Sequence, residues 1–94
     1  MKFPTMFSPV QIGTVTVPNR FVVPPMGNNF ANTDGTLSDR SLSYYQARAK
    51  GGFGLITIES TVVYKEAKGG PRTPCLVSDD TVDSFRRVAY VCHA

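Results

Sequence analysis

Apolar and polar residues alternate over Val10-Gln11-Ile12 and again over Val15-Thr16-Val17, with Gly13-Thr14 between them. Alternation with a period of two turns one strand face toward a core, and a Gly-containing pair can reverse the chain. The stretch therefore predicts a β-hairpin, bounded at 7–18. Pro18 and Asn19 interrupt the pattern, and Arg20 leads into Phe21-Val22-Val23. A short continuous apolar run of this kind suits a parallel strand buried on both faces. Pro24-Pro25 ends it, because neither residue has an N–H to give to a ladder. Met26 to Leu37 reads as a loop rich in Gly, Asn and Asp. Ser38 is placed to cap a helix, Asp39 favours its positive end, and Leu42, Tyr45 and Ala49 follow at helical spacing. Gly51-Gly52 predicts a helix stop, where a left-handed residue is wanted. Leu55-Ile56-Thr57-Ile58 predicts the next strand, running out into Glu59, Ser60 and Thr61.

A long connection follows over Val62–Val77, punctuated by Gly69-Gly70, Pro71 and Pro74. Connections of this length tend to carry function. Ser78 or Asp79 opens a second helix, whose apolar stripe reads Val82, Phe85, Ala89 and Cys92. The order is hairpin, then β-α-β-α. Strands that alternate with helices imply a parallel sheet joined by crossovers. Two parallel strands leave both outer edges unpaired, and both runs are apolar on both faces. The pattern predicts the opening part of a larger α/β fold.

Composition narrows the partners. Apolar residues make up 41% of the 94 and charged residues 18%, a globular balance. Ten Lys and Arg against seven Asp and Glu leave a formal charge of +3. Arg86-Arg87 is the one adjacent basic pair, with no basic stripe around it, so no nucleic-acid partner is expected. No stretch approaches the ~18 apolar residues of a membrane span, and no leader is visible at Met1-Lys2-Phe3-Pro4-Thr5. Cys75 and Cys92 stand in no metal-binding pattern and read as reduced thiols of a cytoplasmic chain.

In α/β folds functional groups gather at the carboxyl ends of the parallel strands. Those ends are Pro24–Asn29 and Glu59–Thr61. The first offers backbone beside a glycine, where a flat ligand can come close. The second offers a carboxylate and two hydroxyls. On physics alone the same residues read equally well as a strand stop and turn-forming asparagines.

Phe7-Ser8-Pro9, Ile12-Gly13 and Pro18-Asn19-Arg20-Phe21-Val22-Val23-Pro24-Pro25-Met26 resemble the start of the old yellow enzyme family. Asp34-Gly35, Tyr44-Tyr45, Arg48-Ala49, Gly51-Gly52, Gly54-Leu55-Ile56 and Ile58-Glu59-Ser60 continue the resemblance in order, and Ser78-Asp79 opens the second helix as in that family. The likeness runs from about Met6 to Ala94. Pro-Pro-Met-Gly and Ala-Arg-Ala-Lys-Gly-Gly resemble most the enoate and 2,4-dienoyl-CoA reductase branch.

The resemblance implies an α/β chain that is the N-terminal fragment of a (β/α)8 TIM barrel, with residues 1–94 an incomplete portion of one FMN-binding domain. It implies FMN as cofactor, NAD(P)H as reductant, and an activated alkene or enoyl thioester as substrate. Pro25, Met26 and Gly27 match the segment that packs on the isoalloxazine ring, and Ser60 matches the small residue near the ring after the second strand. Gly27 stands where relatives carry Thr or Cys, and Ser60 where Ala or Gly is commoner. The family's flavin-contacting Gln, carbonyl-binding His or Asn, proton-donating Tyr and phosphate site lie beyond Ala94. So would any iron–sulfur cluster or FAD domain. No catalytic residue and no metal ligand is therefore expected within 1–94, and the isolated chain is expected to be inactive. Glu59 is expected to be a structural carboxylate at the rim, Tyr45 core, Tyr44 flank, and His93 surface. Arg20 is expected to make a structural ion pair or hydrogen bond, and Lys68 and Arg72, which could reach an acidic substrate or cofactor from the long second loop, are expected to be solvated there. The reading from another class is a non-enzymatic βαβα module that docks on a partner through its open strand edges.

Overall fold

A computed structural model describes residues 2–67 and 70–94, so Lys68 lies outside the described residues. Strands β1 (Val10–Ile12) and β2 (Val15–Val17) pair antiparallel, Val10 opposite Val17 and Ile12 opposite Val15. Gly13 turns the hairpin at φ +61°, a left-handed conformation that a glycine adopts without steric cost. Arg20 then ties the N-terminal segment down. Its backbone N–H donates to the Met6 carbonyl at 3.0 Å, and its guanidinium reaches Ser8 and Pro9 at 3.4 Å.

Strand β3 (Val22–Val23) and strand β4 (Leu55–Ile56) form the parallel pair, with Val22 opposite Leu55 and Val23 opposite Ile56. Both strands are shorter than the apolar runs suggest. Phe21 lies just outside the ladder yet accepts from the amides of Gly54 and Leu55, and Thr57 donates to Val23 at 3.0 Å. The outer faces are bare: Val22 is 49% exposed and Leu55 38%. These are the surfaces expected to need neighbours.

Helix α1 (Asp39–Lys50) joins the two strands. Ser38 Oγ accepts from the Ser41 amide at 3.1 Å and donates to the Phe30 carbonyl, so one hydroxyl caps the helix and fixes the incoming loop. At the far end the helix runs to Lys50. Gly51 is still right-handed, and Gly52, at φ +100°, is the residue that breaks out. Asn19 locks this exit to the entry of β3. Its Nδ2 donates to the Gly52 carbonyl at 2.7 Å, while its Oδ1 accepts from Phe21 N at 3.0 Å. A methyl group on Gly54 would stand 2.7 Å from the Asn19 side chain and carbonyl, which is why the chain has none there.

Helix α2 (Asp79–His93) starts on Ser78, with Thr81 Oγ1 accepting from the amides of Val77 and Ser78. The apolar stripe expected at Val82, Phe85, Ala89 and Cys92 needs correction, because Val82 and Ala89 are exposed. The buried face is Thr81, Ser84 and Val88, with Phe85 and Cys92 half-buried beside it. Small hydroxyl residues serve as interior groups here because their oxygens are satisfied. Ser84 Oγ accepts from Leu37 N at 2.9 Å and donates to Thr81 O at 2.7 Å. Leu37, Tyr45 and Val88 form the core between α1, α2 and β4, joined by Ile56 and Ile58.

The long connection is not structureless. A short 3-10 turn spans Lys65–Ala67, and a parallel bridge joins Val62 to Cys75. Cys75 is buried against Gly35, whose φ is +91°. A Cβ at Gly35 would meet the Cys75 Cβ and Sγ at 2.7 Å. Among the described residues no helix is long and apolar enough to cross a membrane.

Candidate functional site

The parallel register of β3 and β4 brings the two strand ends to one rim. Asn28 N donates to Glu59 Oε2 at 3.3 Å, linking the loop after β3 to the residue that closes β4's extension. Glu59 is 4% exposed. Its second oxygen, Oε1, accepts from the Tyr45 hydroxyl at 3.0 Å, and the same hydroxyl accepts from Glu59 N at 3.1 Å. The carboxylate is thus held on one side by α1 and on the other by the rim peptide, as the structural reading requires. Burial and the adjacent carboxylate push the Tyr45 phenol up to about 12, so it stays protonated and donates.

Gly27 and Ser60 line one cavity of about 460 Å³, together with Glu59, Val62, Arg72 and Thr73. Both face solvent. No heavy atom lies within 4 Å of where a Gly27 Cβ would stand, and Gly27 is not among the residues at positive φ. Neither crowding nor backbone geometry demands a glycine, and the space beyond its α-carbon is open. Met26 turns elsewhere, into a cleft of about 380 Å³ with Val22, Ala47 and Phe53. Pro25 is exposed between the two. Of the four expected site residues, the structure brings Gly27 and Ser60 together and leaves Pro25 and Met26 on the adjoining edge.

Asn28 adds a feature that no spacing foretold. Its Oδ1 accepts from Phe30 N at 3.0 Å, while its Nδ2 is buried and has no partner among the described residues. Asn28 is not among the residues that line the cavity, so this donor lies behind the rim. Arg72 is exposed on its loop, as expected. It lines the cavity, and its Nη1 donates to the Ala31 carbonyl at 3.3 Å, bridging the two rim loops. Tyr44 is a flank residue, edge-on to Phe30 and Tyr45 and covered by the Arg48 guanidinium at 3.6 Å. His93 sits exposed at the exit of α2, on the far side from Gly27.

Residues 5–94 match the NADH:flavin oxidoreductase / NADH oxidase family. The chain is 41% identical over 93 residues to an NADH oxidase from Thermoanaerobacter brockii, an alignment that covers 98% of this chain and 14% of that protein. Among solved structures it resembles a 2-naphthoyl-CoA reductase in complex with 2-naphthoyl-CoA, at a TM-score of 0.91 and 27% identity, over 96% of this chain and 14% of that one. It also resembles the old yellow enzyme from Trypanosoma cruzi, at a TM-score of 0.88 and 30% identity, over 99% of this chain and 25% of that one. The chain therefore spans about a seventh to a quarter of these proteins. The hairpin and the β-α-β-α unit are the opening of a (β/α)8 barrel, with β3 and β4 as its first two strands.

Proposed function

The chain belongs to the NADH:flavin oxidoreductase / NADH oxidase family, the old yellow enzymes, and on that premise we propose that it supplies the first part of the flavin floor in an FMN-dependent ene-reductase. The observation that carries this is the shared cavity of Gly27 and Ser60, reached from neighbouring parallel strands, with the Cβ position of Gly27 open. On this reading residues 1–94 are an incomplete portion of one FMN-binding barrel domain.

The chemistry that FMN supplies when bound is hydride transfer, taken from NAD(P)H and delivered to the β-carbon of an activated alkene or enoyl thioester. This chain's residues position. Pro25, Met26 and Gly27 present backbone and a bare α-carbon to the ring. The Ser60 hydroxyl offers a hydrogen bond from the next strand. Tyr45 holds Glu59, and Glu59 holds the Asn28 amide, so the rim peptide keeps its orientation without help from solvent. The proton donor, the carbonyl-binding groups and the phosphate anchor belong to further strands, as would an iron–sulfur cluster or FAD domain. The 94 residues alone are inactive on this reading, since ring contacts without a phosphate anchor do not offset the costs of binding. A cytoplasmic location fits the two free cysteines, Cys75 and Cys92.

The bare faces of Val22 and Leu55 favour a second reading, a module that docks on another subunit. One experiment separates the two. The whole protein that carries this chain is loaded with FMN, and flavin retention is compared with that of its Gly27→Val variant. A branched side chain in the open space should weaken FMN binding by about tenfold or more without unfolding the protein. Equal retention would remove Gly27 from beneath the ring. A whole protein that takes up no flavin at all would leave the docking reading standing.

A further inference from the structure

A second cavity, of about 450 Å³, opens beside the first and shares Asn29 and Arg72 with it. Its remaining lining is Phe30, Asn32, Ser38 and Arg40. Two guanidinium groups thus come to one hollow from different connections, one on the first turn of α1 and one on the loop after β4. No carboxylate lines it. Among the described residues, neither Arg40 nor Arg72 is in an ion pair; the two ion pairs there are Arg86–Asp83 and Arg87–Asp39.

Each guanidinium is held in a way that leaves donors free. Arg40 lies over the Phe30 ring, its Cζ 4.0 Å from the centroid. Stacking uses the face of the group and leaves its in-plane N–H fork open. Arg72 donates Nη1 to Ala31 O at 3.3 Å, and its other N–H groups stay available. Asn29, at φ +60°, and Asn32 share the same lining, with the Asn32 Nδ2 donating to Thr36 Oγ1 at 2.9 Å. Two like charges held near one another without a counter-charge favour an anion between them, and the planar fork of arginine matches the oxygens of a phosphate.

We propose that Arg40 and Arg72 form a phosphate site, which takes a phosphate-bearing tail of the substrate or the reductant whose reactive end meets the flavin ring held at the cavity of Gly27 and Ser60. The identity of the ligand rests on the flavoenzyme reading; the binding of phosphate does not. The shared chemistry is a nucleotide phosphate, and its source is either an acyl thioester of coenzyme A or NADPH.

Binding is measured by calorimetry at low salt on the whole protein. Coenzyme A is set against pantetheine, which lacks its phosphates and adenosine, and NADPH against NADH, which lacks only the ribose 2′-phosphate. The wild type should prefer coenzyme A or NADPH, or both, within its pair. Arg40→Gln with Arg72→Gln should weaken that ligand by about tenfold or more, consistent with the loss of two charge-assisted contacts. Arg86→Gln, on the exposed side of α2, should change nothing. A preference for coenzyme A over pantetheine assigns the tail to the substrate, and one for NADPH over NADH assigns it to the reductant.

The proposal fails if the double variant binds coenzyme A and NADPH as the wild type does, or if neither pair is discriminated. Should the double Gln variant not fold, Arg40→Gln and Arg72→Gln are measured singly, and unchanged binding in both also overturns the site. A protein that binds no FMN yet loses phosphate binding with the two arginines overturns the flavoenzyme reading alone. One that binds FMN and ignores both substitutions overturns this site alone.

Discussion

The Tyr45 hydroxyl and Glu59 form a closed pair, in which the phenol donates to Oε1 at 3.0 Å and accepts the Glu59 amide at 3.1 Å. The pair joins the middle of α1 to the end of the second barrel strand. Through Glu59 Oε2 it reaches the Asn28 amide on the first. Removing the hydroxyl strands a buried carboxylate oxygen and a buried amide together. Tyr45→Phe should therefore lower the stability of the whole protein by about 1–3 kcal/mol, read from urea denaturation. FMN retention should fall with it, since the rim peptide loses its anchor. A variant with unchanged stability would mean that water replaces the hydroxyl.

The same phenol sets a response at high pH. In the unfolded chain it ionises near pH ~10, whereas burial holds it up to about 12 in the fold. Below both values the proton is bound in either state. As pH rises between them the unfolded chain has released its proton and the folded chain keeps it, so stability falls with rising pH. The loss attributable to Tyr45 approaches roughly 2–3 kcal/mol once pH exceeds the folded value. Comparing alkaline denaturation of the wild type and Tyr45→Phe isolates it, because the variant lacks this part of the fall.

Gly35 is required twice over, by φ +91° and by the Cys75 side chain, 2.7 Å from where its Cβ would lie. Gly35→Ala should cost about 2–3 kcal/mol, combining overpacking with backbone strain. Adding Cys75→Ala removes only the Sγ part of the clash, because an alanine Cβ at 75 stays in place. The double variant should then remain clearly below Cys75→Ala alone, as a thermal-melting cycle will show. Full recovery would mean that the backbone carries no strain.

Asn19 is the hinge between hairpin exit, α1 exit and β3. Asn19→Ala loses the bonds to Gly52 O and Phe21 N and should destabilise by about 1–2 kcal/mol. Amide exchange at Phe21 should rise more than at Tyr45, since the loss is local to this end of the ladder. Uniform acceleration across both would point to global destabilisation instead.

The hairpin, the two short strands and both helices are legible from periodicity, because Ser38, Gly52 and Pro24 punctuate the chain with residues whose backbone preferences are strong. The inner face of α2 is not. Thr81 and Ser84 look polar in a hydropathy pattern, and only the neighbouring amide of Leu37 shows why they are interior groups. At the site, Gly27 and Ser60 follow from resemblance and strand order. Arg72 is legible only as a loop cation within reach of an acidic ligand, because its bond to Ala31, far away in sequence, leaves no trace in the pattern. Asn28 escapes for a different reason: an asparagine in a Gly- and Asn-rich loop looks like any turn residue until its Nδ2 is seen to be buried and unpartnered.

The packing of Cys75 under Gly35 also makes the chain its own clock. Cys75 is 1% exposed, so a thiol reagent reaches it when Cys75 parts from Gly35 in the loop before α1. Cys92 is half-buried on α2, with its thiol pushed up by burial, and answers separately for that helix. At reagent concentrations where modification outruns reclosing, the labelling rate of Cys75 becomes the opening frequency of the cavity's outer wall. A ligand seated against Arg72 would then be seen as a slowing of that rate, with no chromophore or turnover needed to detect it.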